Sequence, residues 1–177
     1  EVIYKGVVFD SSNGSFRFMI NGTIDIAAAD MNKDGVDEIV AVDSNYIIVA
    51  NGNESILWKK EHDLTLRHYG NEDYLSLGDL TNDGIPDIVI SGINEGNGIN
   101  TIRAFDGKDG VMLWGVKDRY EPNSGASIAD LNGDGVRDVV VFSPNWEYAS
   151  DGKNGELIWQ SFVDTVPSNY PIIGDVN

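Results

Sequence analysis

An all-β fold of stacked four-stranded antiparallel blades is the class this 177-residue sequence predicts, on three observations. The first is an acidic loop written three times: Asp30-Met-Asn32-Lys-Asp34-Gly35-Val-Asp-Glu38, Asp79-Leu-Thr81-Asn-Asp83-Gly84-Ile-Pro-Asp87 and Asp130-Leu-Asn132-Gly-Asp134-Gly135-Val-Arg-Asp138. The second is its spacing. Asp30 to Asp79 is 49 residues, Asp79 to Asp130 is 51, and Asp130 to Asp175, where a fourth copy opens, is 45. The third is the apolar and β-branched runs that flank each copy, with no convincing helix between them. A period of this size between strands belongs to a β-propeller.

The elements follow in order. Val8-Phe-Asp10-Ser-Ser-Asn-Gly14-Ser-Phe-Arg-Phe18 reads as the closing hairpin of a partial blade, two strands over residues 1–22. Three complete blades are expected over 23–62, 63–118 and 119–165. Each opens with an apolar strand: Ile24-Asp-Ile-Ala-Ala-Ala29, Tyr74-Leu-Ser-Leu-Gly78 or Ala126-Ser-Ile-Ala129. After the acidic loop comes a β-branched run, Ile39-Val-Ala-Val42, Ile88-Val-Ile90 or Val139-Val-Val-Phe142, as expected of strands covered on both faces. A hairpin then closes the unit. Ala104-Phe-Asp106-Gly-Lys-Asp-Gly110-Val-Met-Leu-Trp114 matches Ala149-Ser-Asp151-Gly-Lys-Asn-Gly155-Glu-Leu-Ile-Trp159, and Ala50 to Trp58 is a shortened version. Asn and Gly supply the positive φ such turns need. Residues 166–177 are expected to give the first strand of a further blade. Joined to the first two strands, it would leave a blade short of one strand. The chain is expected either to continue past Asn177 or to have the blade completed by another copy.

Charge narrows the partners. The net charge of −17 argues against nucleic acid and anionic lipid, whose binders present basic patches. No apolar run is long enough to span a bilayer, so membrane insertion is not expected. The chain has no cysteine, which removes disulfides and thiolate metal sites. It starts at Glu1 with no leader pattern, as a processed or excised chain would. Asn13-Gly-Ser15, Asn21-Gly-Thr23 and Asn53-Glu-Ser55 are formal glycosylation sequons, two of which also read as tight turns.

Side-chain oxygens at loop positions 1, 3, 5 and 9, with glycine at 6, suit Ca2+, a hard cation that takes six to eight oxygen ligands. An EF-hand or dockerin reading fails, because position 12 is Ala41, Ile90 or Val141 inside a β-rich run. The loops resemble the FG-GAP or VCBS repeats of integrin α-subunit propellers and microbial surface proteins. The Ala-x-Asp-x-x-x-Gly-x-x-x-Trp hairpins are similar to quinoprotein blades, although no quinone site is expected. The resemblance implies three calcium sites. One set is Asp30, Asn32, Asp34 and Glu38 with the carbonyl of Val36; the second is Asp79, Thr81, Asp83 and Asp87 with that of Ile85. The third is Asp130, Asn132, Asp134 and Asp138 with that of Val136. Thr81 departs from the pattern, and its hydroxyl is a poorer ligand. Asp175 and Asn177 begin a site that nothing completes.

Two insertions fall on the face away from the acidic loops. One lies in 92–98; the other, between Trp58 and Asp79, contains His62, Arg67, His68, Tyr69 and Glu72. Surface loops of this kind often carry function, so a protein or glycan partner is expected there. Both histidines are expected to be solvated. Trp58, Trp114 and Trp159 are expected to pack between blades, leaving Trp146 as the surface aromatic. No acid–base couple, nucleophile motif or phosphate loop stands out. The functional expectation is a non-enzymatic, extracellular calcium-binding module, secreted or on the cell surface, for adhesion or self-assembly. Open blade edges would allow a homo-oligomer or polymer. The alternatives are a carbohydrate-binding propeller and the propeller portion of a larger polysaccharide-active enzyme.

Overall fold

The computed structural model describes residues 2–4, 6–9, 12–66, 74–94, 99–117, 125–143, 145–164 and 171–174. Among them the chain is all-β and contains no helix. Sixteen strands form four antiparallel sheets. Blade 1 holds β1 (Val2–Tyr4), β2 (Val7–Phe9) and β3 (Phe16–Met19) in the order β1-β2-β3. Blade 2 is the meander of β4 (Asp25–Ala29), β5 (Glu38–Val42), β6 (Tyr46–Ala50) and β7 (Ile56–Glu61). Blade 3 holds β8 (Leu64–Thr65), β9 (Leu75–Gly78), β10 (Asp87–Asn94), β11 (Ile99–Phe105) and β12 (Met112–Lys117). Blade 4 is a second meander, of β13 (Ser127–Ala129), β14 (Asp138–Ser143), β15 (Trp146–Ser150) and β16 (Leu157–Phe162).

Alternation along the second strand of each blade shows why those runs are β-branched throughout. Val40 and Val42 join a core with Leu75, Ile88 and Ile90 between blades 2 and 3. Ile39, on the opposite face, meets Val8 and Phe18 of blade 1. In blade 3, Val89 turns away from Ile88 and Ile90 to pack with Val139 and Val141 of blade 4. A strand between two sheets buries both faces, so an apolar residue is favoured at every position.

Consecutive blades are also stapled along their first strands. Asp25 Oδ2 on β4 accepts from the amides of Tyr74 and Leu75, at 2.7 and 2.9 Å. Ser76 on β9 donates its hydroxyl to the Ala126 carbonyl at 2.7 Å and accepts from the Ala126 amide at 2.9 Å. The Ser127 hydroxyl on β13 donates to the carbonyl of Pro171. The approach is close: a Cβ at Gly78 would overlap the side chain of Ile128.

Indoles join the outer parts of the blades. Trp58 donates its Nε1–H to the Gly107 carbonyl at 3.0 Å, and Trp114 does the same to Gly152 at 2.7 Å. Each ring lies against the left-handed glycine of the next blade's hairpin, Gly110 (φ 72°) or Gly155 (φ 74°), where a Cβ would meet it at 2.8 Å. Trp58 and Trp114 thus pack between blades, as the sequence suggests. Trp159, in the last described blade, is 37% exposed.

The structure departs from the sequence expectations in four places. Blade 1 has three strands rather than two, because Val2–Tyr4 pairs with Val7–Phe9. The residue that faces Trp58 across the hairpin is Val49, as Ala104 and Ala149 face Trp114 and Trp159. Glu38 to Val49 is then 11 residues, the same as Asp138 to Ala149. The two insertions are not independent loops. The one around residue 93 continues the β10–β11 hairpin, and the one after Trp58 supplies β8, which pairs with the far end of β10 (Thr65↔Ile93, Leu64↔Asn94). Residues 67–73 and 95–98 lie outside the described residues, as does His68. Finally, of the strand expected over 166–177, residues 171–174 carry none, and 166–170 and 175–177 lie outside the described residues.

The indole joints give a direct comparison. Trp114→Phe removes the donor from a buried carbonyl and should cost about 1–3 kcal/mol in urea unfolding. Trp159→Phe should stay within about 0.5 kcal/mol of the parent. Equal losses would contradict the joint.

Candidate functional site

Three acidic loops connect the first and second strands of blades 2, 3 and 4, and all fold by the same rule. The residue at loop position 4 is left-handed, at φ 64° for Lys33, 58° for Asn82 and 77° for Gly133. The glycine at position 6 follows suit, at 85°, 82° and 85° for Gly35, Gly84 and Gly135. Such a backbone curls round its own first side chain, and glycine adopts it without a Cβ penalty.

The position-1 carboxylate sits inside that curl. Asp30 accepts from the Asp34 and Gly35 amides at 3.2 and 2.9 Å, and Asp79 from those of Asp83 and Gly84 at 3.1 and 2.8 Å. Asp130 accepts from Gly133 and Gly135 at 2.7 and 3.0 Å. At position 3, Asn32 and Asn132 each accept from the amide two residues on, at 2.9 Å. At position 5, Asp34, Asp83 and Asp134 do likewise at 2.8 Å, to Val36, Ile85 and Val136. Positions 3 to 5 are exposed in all three loops, position 1 is half-buried at Asp30 and Asp79, and the position-2 residues Met31 and Leu80 are buried. Of the position-7 residues, Val36 is exposed, while Ile85 and Val136 are buried.

Position 9 behaves differently. Glu38, Asp87 and Asp138 are only 2%, 1% and 1% exposed, beneath the loop. Asp87 Oδ2 accepts from the Leu80 and Thr81 amides at 2.7 and 3.0 Å, and its Oδ1 accepts from Gly107 at 2.9 Å. Asp138 repeats the pattern on Leu131, Asn132 and Gly152, at 2.8, 3.2 and 3.1 Å. Glu38 keeps the bond to the loop, from the Met31 amide at 2.9 Å. One carboxylate therefore ties the start of the acidic loop to the hairpin turn at the other end of its repeat.

That bond brings in two residues the sequence reading missed. Gly107 and Gly152 donate their amides to position 9 while their carbonyls accept from the indoles of Trp58 and Trp114. A Cβ on either would overlap a backbone carbonyl of the loop, that of Pro86 or Arg137. The Asp-Gly pair of the hairpin was the available signal; its partner lies 20 residues upstream of Gly107 and 14 upstream of Gly152, out of reach of a local pattern.

Charge in the loops follows from these bonds. Burial pulls Asp30 upward, but the amides of Gly35, Lys33, Asn32 and Asp34 together hold it below its usual range. The Lys153 ammonium, 2.6 Å from Asp134 Oδ2, holds that carboxyl down. Burial pushes Glu38 and Asp87 up against the amides that favour their charged forms. Lys33 donates to the Asp83 carbonyl and so links the first two loops. At positions 1, 3, 5 and 9 every side chain carries an oxygen that could coordinate, the chemistry a hard cation prefers. Among the described residues, no three His, Cys, Asp or Glu side chains are gathered into a metal-holding group as they stand.

Comparison with known proteins places this architecture. The FG-GAP-like repeat matches residues 30–90, and the FG-GAP repeat matches 122–156, together spanning the three loops. The chain belongs to the FG-GAP repeat β-propeller family. Among solved structures it is similar to BamB from Moraxella catarrhalis, at 16% identity and TM-score 0.52, over 80% of this chain and 38% of that one. It is also similar to BBS1N in complex with ARL6DN, at 10% identity and TM-score 0.62, over 91% of this chain and 53% of the other. The quinohemoprotein alcohol dehydrogenase of Comamonas testosteroni matches at 11% identity and TM-score 0.58, over 93% and 36%. At these identities the likeness is one of fold, and the chain spans about a third to a half of the structures it matches. No curated protein matches the chain.

The position-9 bonds predict a stability effect separate from any cation. With chelator present, Asp138→Asn should destabilise the chain by about 2–3 kcal/mol, because an amide group then faces an N–H donor. Asp134→Asn, on the exposed side of the same loop, should cost well under half as much. The reverse order would contradict the assignment.

Proposed function

We propose that this chain is a calcium-binding propeller module of an extracellular protein, with a role in adhesion or self-assembly and no catalysis of its own. The observation that carries the calcium reading is the shared conformation of the three loops. Each presents oxygens at positions 1, 3 and 5 on one curled, exposed segment with a left-handed glycine at position 6. The residues that would hold the ion are Asp30, Asn32, Asp34 and Glu38, then Asp79, Thr81, Asp83 and Asp87, then Asp130, Asn132, Asp134 and Asp138. The carbonyls of Val36, Ile85 and Val136 would join them. Bound Ca2+ would supply positive charge to loops that now satisfy their carboxylates with amides and, at Asp134, with Lys153.

Calcium at millimolar concentration is a feature of extracellular fluid, which is where loops of modest affinity would fill. The net charge of −17 fits such a binder and opposes a nucleic-acid partner. The non-enzymatic reading rests on the loops themselves: their acids are engaged by backbone amides, which leaves no free acid–base couple among them. A protein or glycan partner is assigned to the face opposite the loops, where β8 and the long β10–β11 hairpin enlarge the surface.

An ion bound only by the folded chain stabilises it by mass action, about 2.7 kcal/mol per site at a hundredfold excess over Kd. Adding millimolar Ca2+ to the chelated chain should therefore raise Tm by about 5–10 °C. A melting transition that Ca2+ and EDTA both leave unmoved would remove calcium from this reading.

A further inference from the structure

His62 is the only described histidine, and it is 1% exposed rather than solvated as its charged neighbours suggest. Its backbone occupies a recurrent place. The His62 amide donates to the Asn45 carbonyl at 3.1 Å, just as the Val163 amide of blade 4 donates to Asn145 at 2.8 Å. Blade 4 uses valine there. Blade 2 uses histidine, and two residues later the inserted strand β8 begins.

Both ring nitrogens are engaged by the backbone. Nδ1 accepts from the Leu64 amide at 3.1 Å, and Nε2 lies 3.0 Å from the Asp43 carbonyl. An accepting Nδ1 makes Nε2 the N–H, so this geometry selects one neutral tautomer. A protonated ring would point a second N–H at the Leu64 amide, donor against donor. The charged groups facing the ring come from three elements. Asp43, on the β5–β6 turn, attracts a proton, although its Oδ1 already accepts from the Asn45 and Tyr46 amides at 2.8 and 2.7 Å. Arg103 on β11 donates to the His62 carbonyl at 2.9 Å and opposes a proton on the ring. Asp63 pairs with Arg103 and is occupied by it. Burial outweighs the attraction of Asp43 and lowers the ring's pKa below the usual 6.5.

What the ring secures is slight by itself. Among the described residues, β8 pairs with β10 at Leu64↔Asn94 and Thr65↔Ile93, whereas β9 holds the same strand at four residue pairs. Leu64 and Leu66 close over Gly92, where a Cβ would meet the Leu66 side chain at 2.9 Å. Such a short ladder opens locally at low cost when one of its anchors is lost.

We propose that His62 is a pH-sensitive latch: neutral, it clips β8 to the end of blade 2 and so onto β10; protonated, it releases the inserted strand while the blades stay folded. The sign follows from linkage. The released state has the ordinary histidine pKa and the latched state a lower one, so release takes up a proton. The latch is complete above about pH 6.5 and is lost progressively as pH falls towards the lowered value.

The test is amide hydrogen exchange of the whole chain between about pH 7.5 and pH 5, corrected for intrinsic rates. Protection of the Leu64 amide should fall about tenfold per pH unit below about 6.5, while Leu77 and Val89 in the β9–β10 ladder hold theirs. His62→Asn, which keeps an acceptor near Nδ1 but cannot titrate, should abolish the pH dependence. If that variant fails to fold, ring nitrogen chemical shifts of the parent decide. An Nε2–H tautomer at about pH 7.5, protonating together with a shift of the Leu64 amide, supports the latch. Unchanged Leu64 protection at about pH 5, an equal fall in His62→Asn, or an Nδ1–H or charged ring at about pH 7.5 overturns it.

Discussion

A buried carboxylate organises each repeat. Asp87 and Asp138 stand under the acidic loop and gather three backbone amides apiece, two from the loop and one from a hairpin turn. Removing a charged group from water costs several kcal/mol, and only multiple charge-assisted hydrogen bonds offset that. An amide side chain could not replace it, since both oxygens must accept. Aspartate at this position therefore has a structural duty before any cation is considered, and the loops hold their curl through it.

From that anchor the order passes outward. The glycine whose amide reaches the carboxylate has no room for a side chain, and its carbonyl is left to receive the indole of the preceding blade. Loop, turn and neighbouring blade thus meet at one residue, Gly107 or Gly152. Repeat proteins gain stability from such nearest-neighbour interfaces rather than from a single central core. Blade 1 uses Phe18 at the indole position, and the turn of blade 2 that follows it is the short one, with Glu54 rather than glycine in the left-handed place (φ 70°).

Much of this was legible because it repeats. Three loops in phase marked the repeat, and the β-branched runs announced strands buried on both faces. What stayed hidden depends on contacts between distant segments. The acid at position 9 reads as one more ligand, because its burial comes from a turn 20 residues downstream of Asp87 and 14 downstream of Asp138. Strand β8 escaped notice because Leu64 and Thr65 make a strand only by pairing with β10, itself extended by a second insertion. His62 looked solvated beside Lys59, Lys60, Glu61 and Asp63, because its ring partners, the Asp43 carbonyl and the Leu64 amide, come together only in the fold. Val2–Tyr4 is too short to announce itself without its partner.

Loop and turn amides outside the strands are held as firmly as those within them, because a buried carboxylate receives them. Hydrogen exchange at Leu80, Thr81, Leu131, Asn132, Gly107 and Gly152 tests this most directly, in metal-free buffer. Protection close to that of Val89 and Val140 in the central strands is expected. Exchange of these six amides at the rate of free loop residues, with the strands still protected, would contradict it.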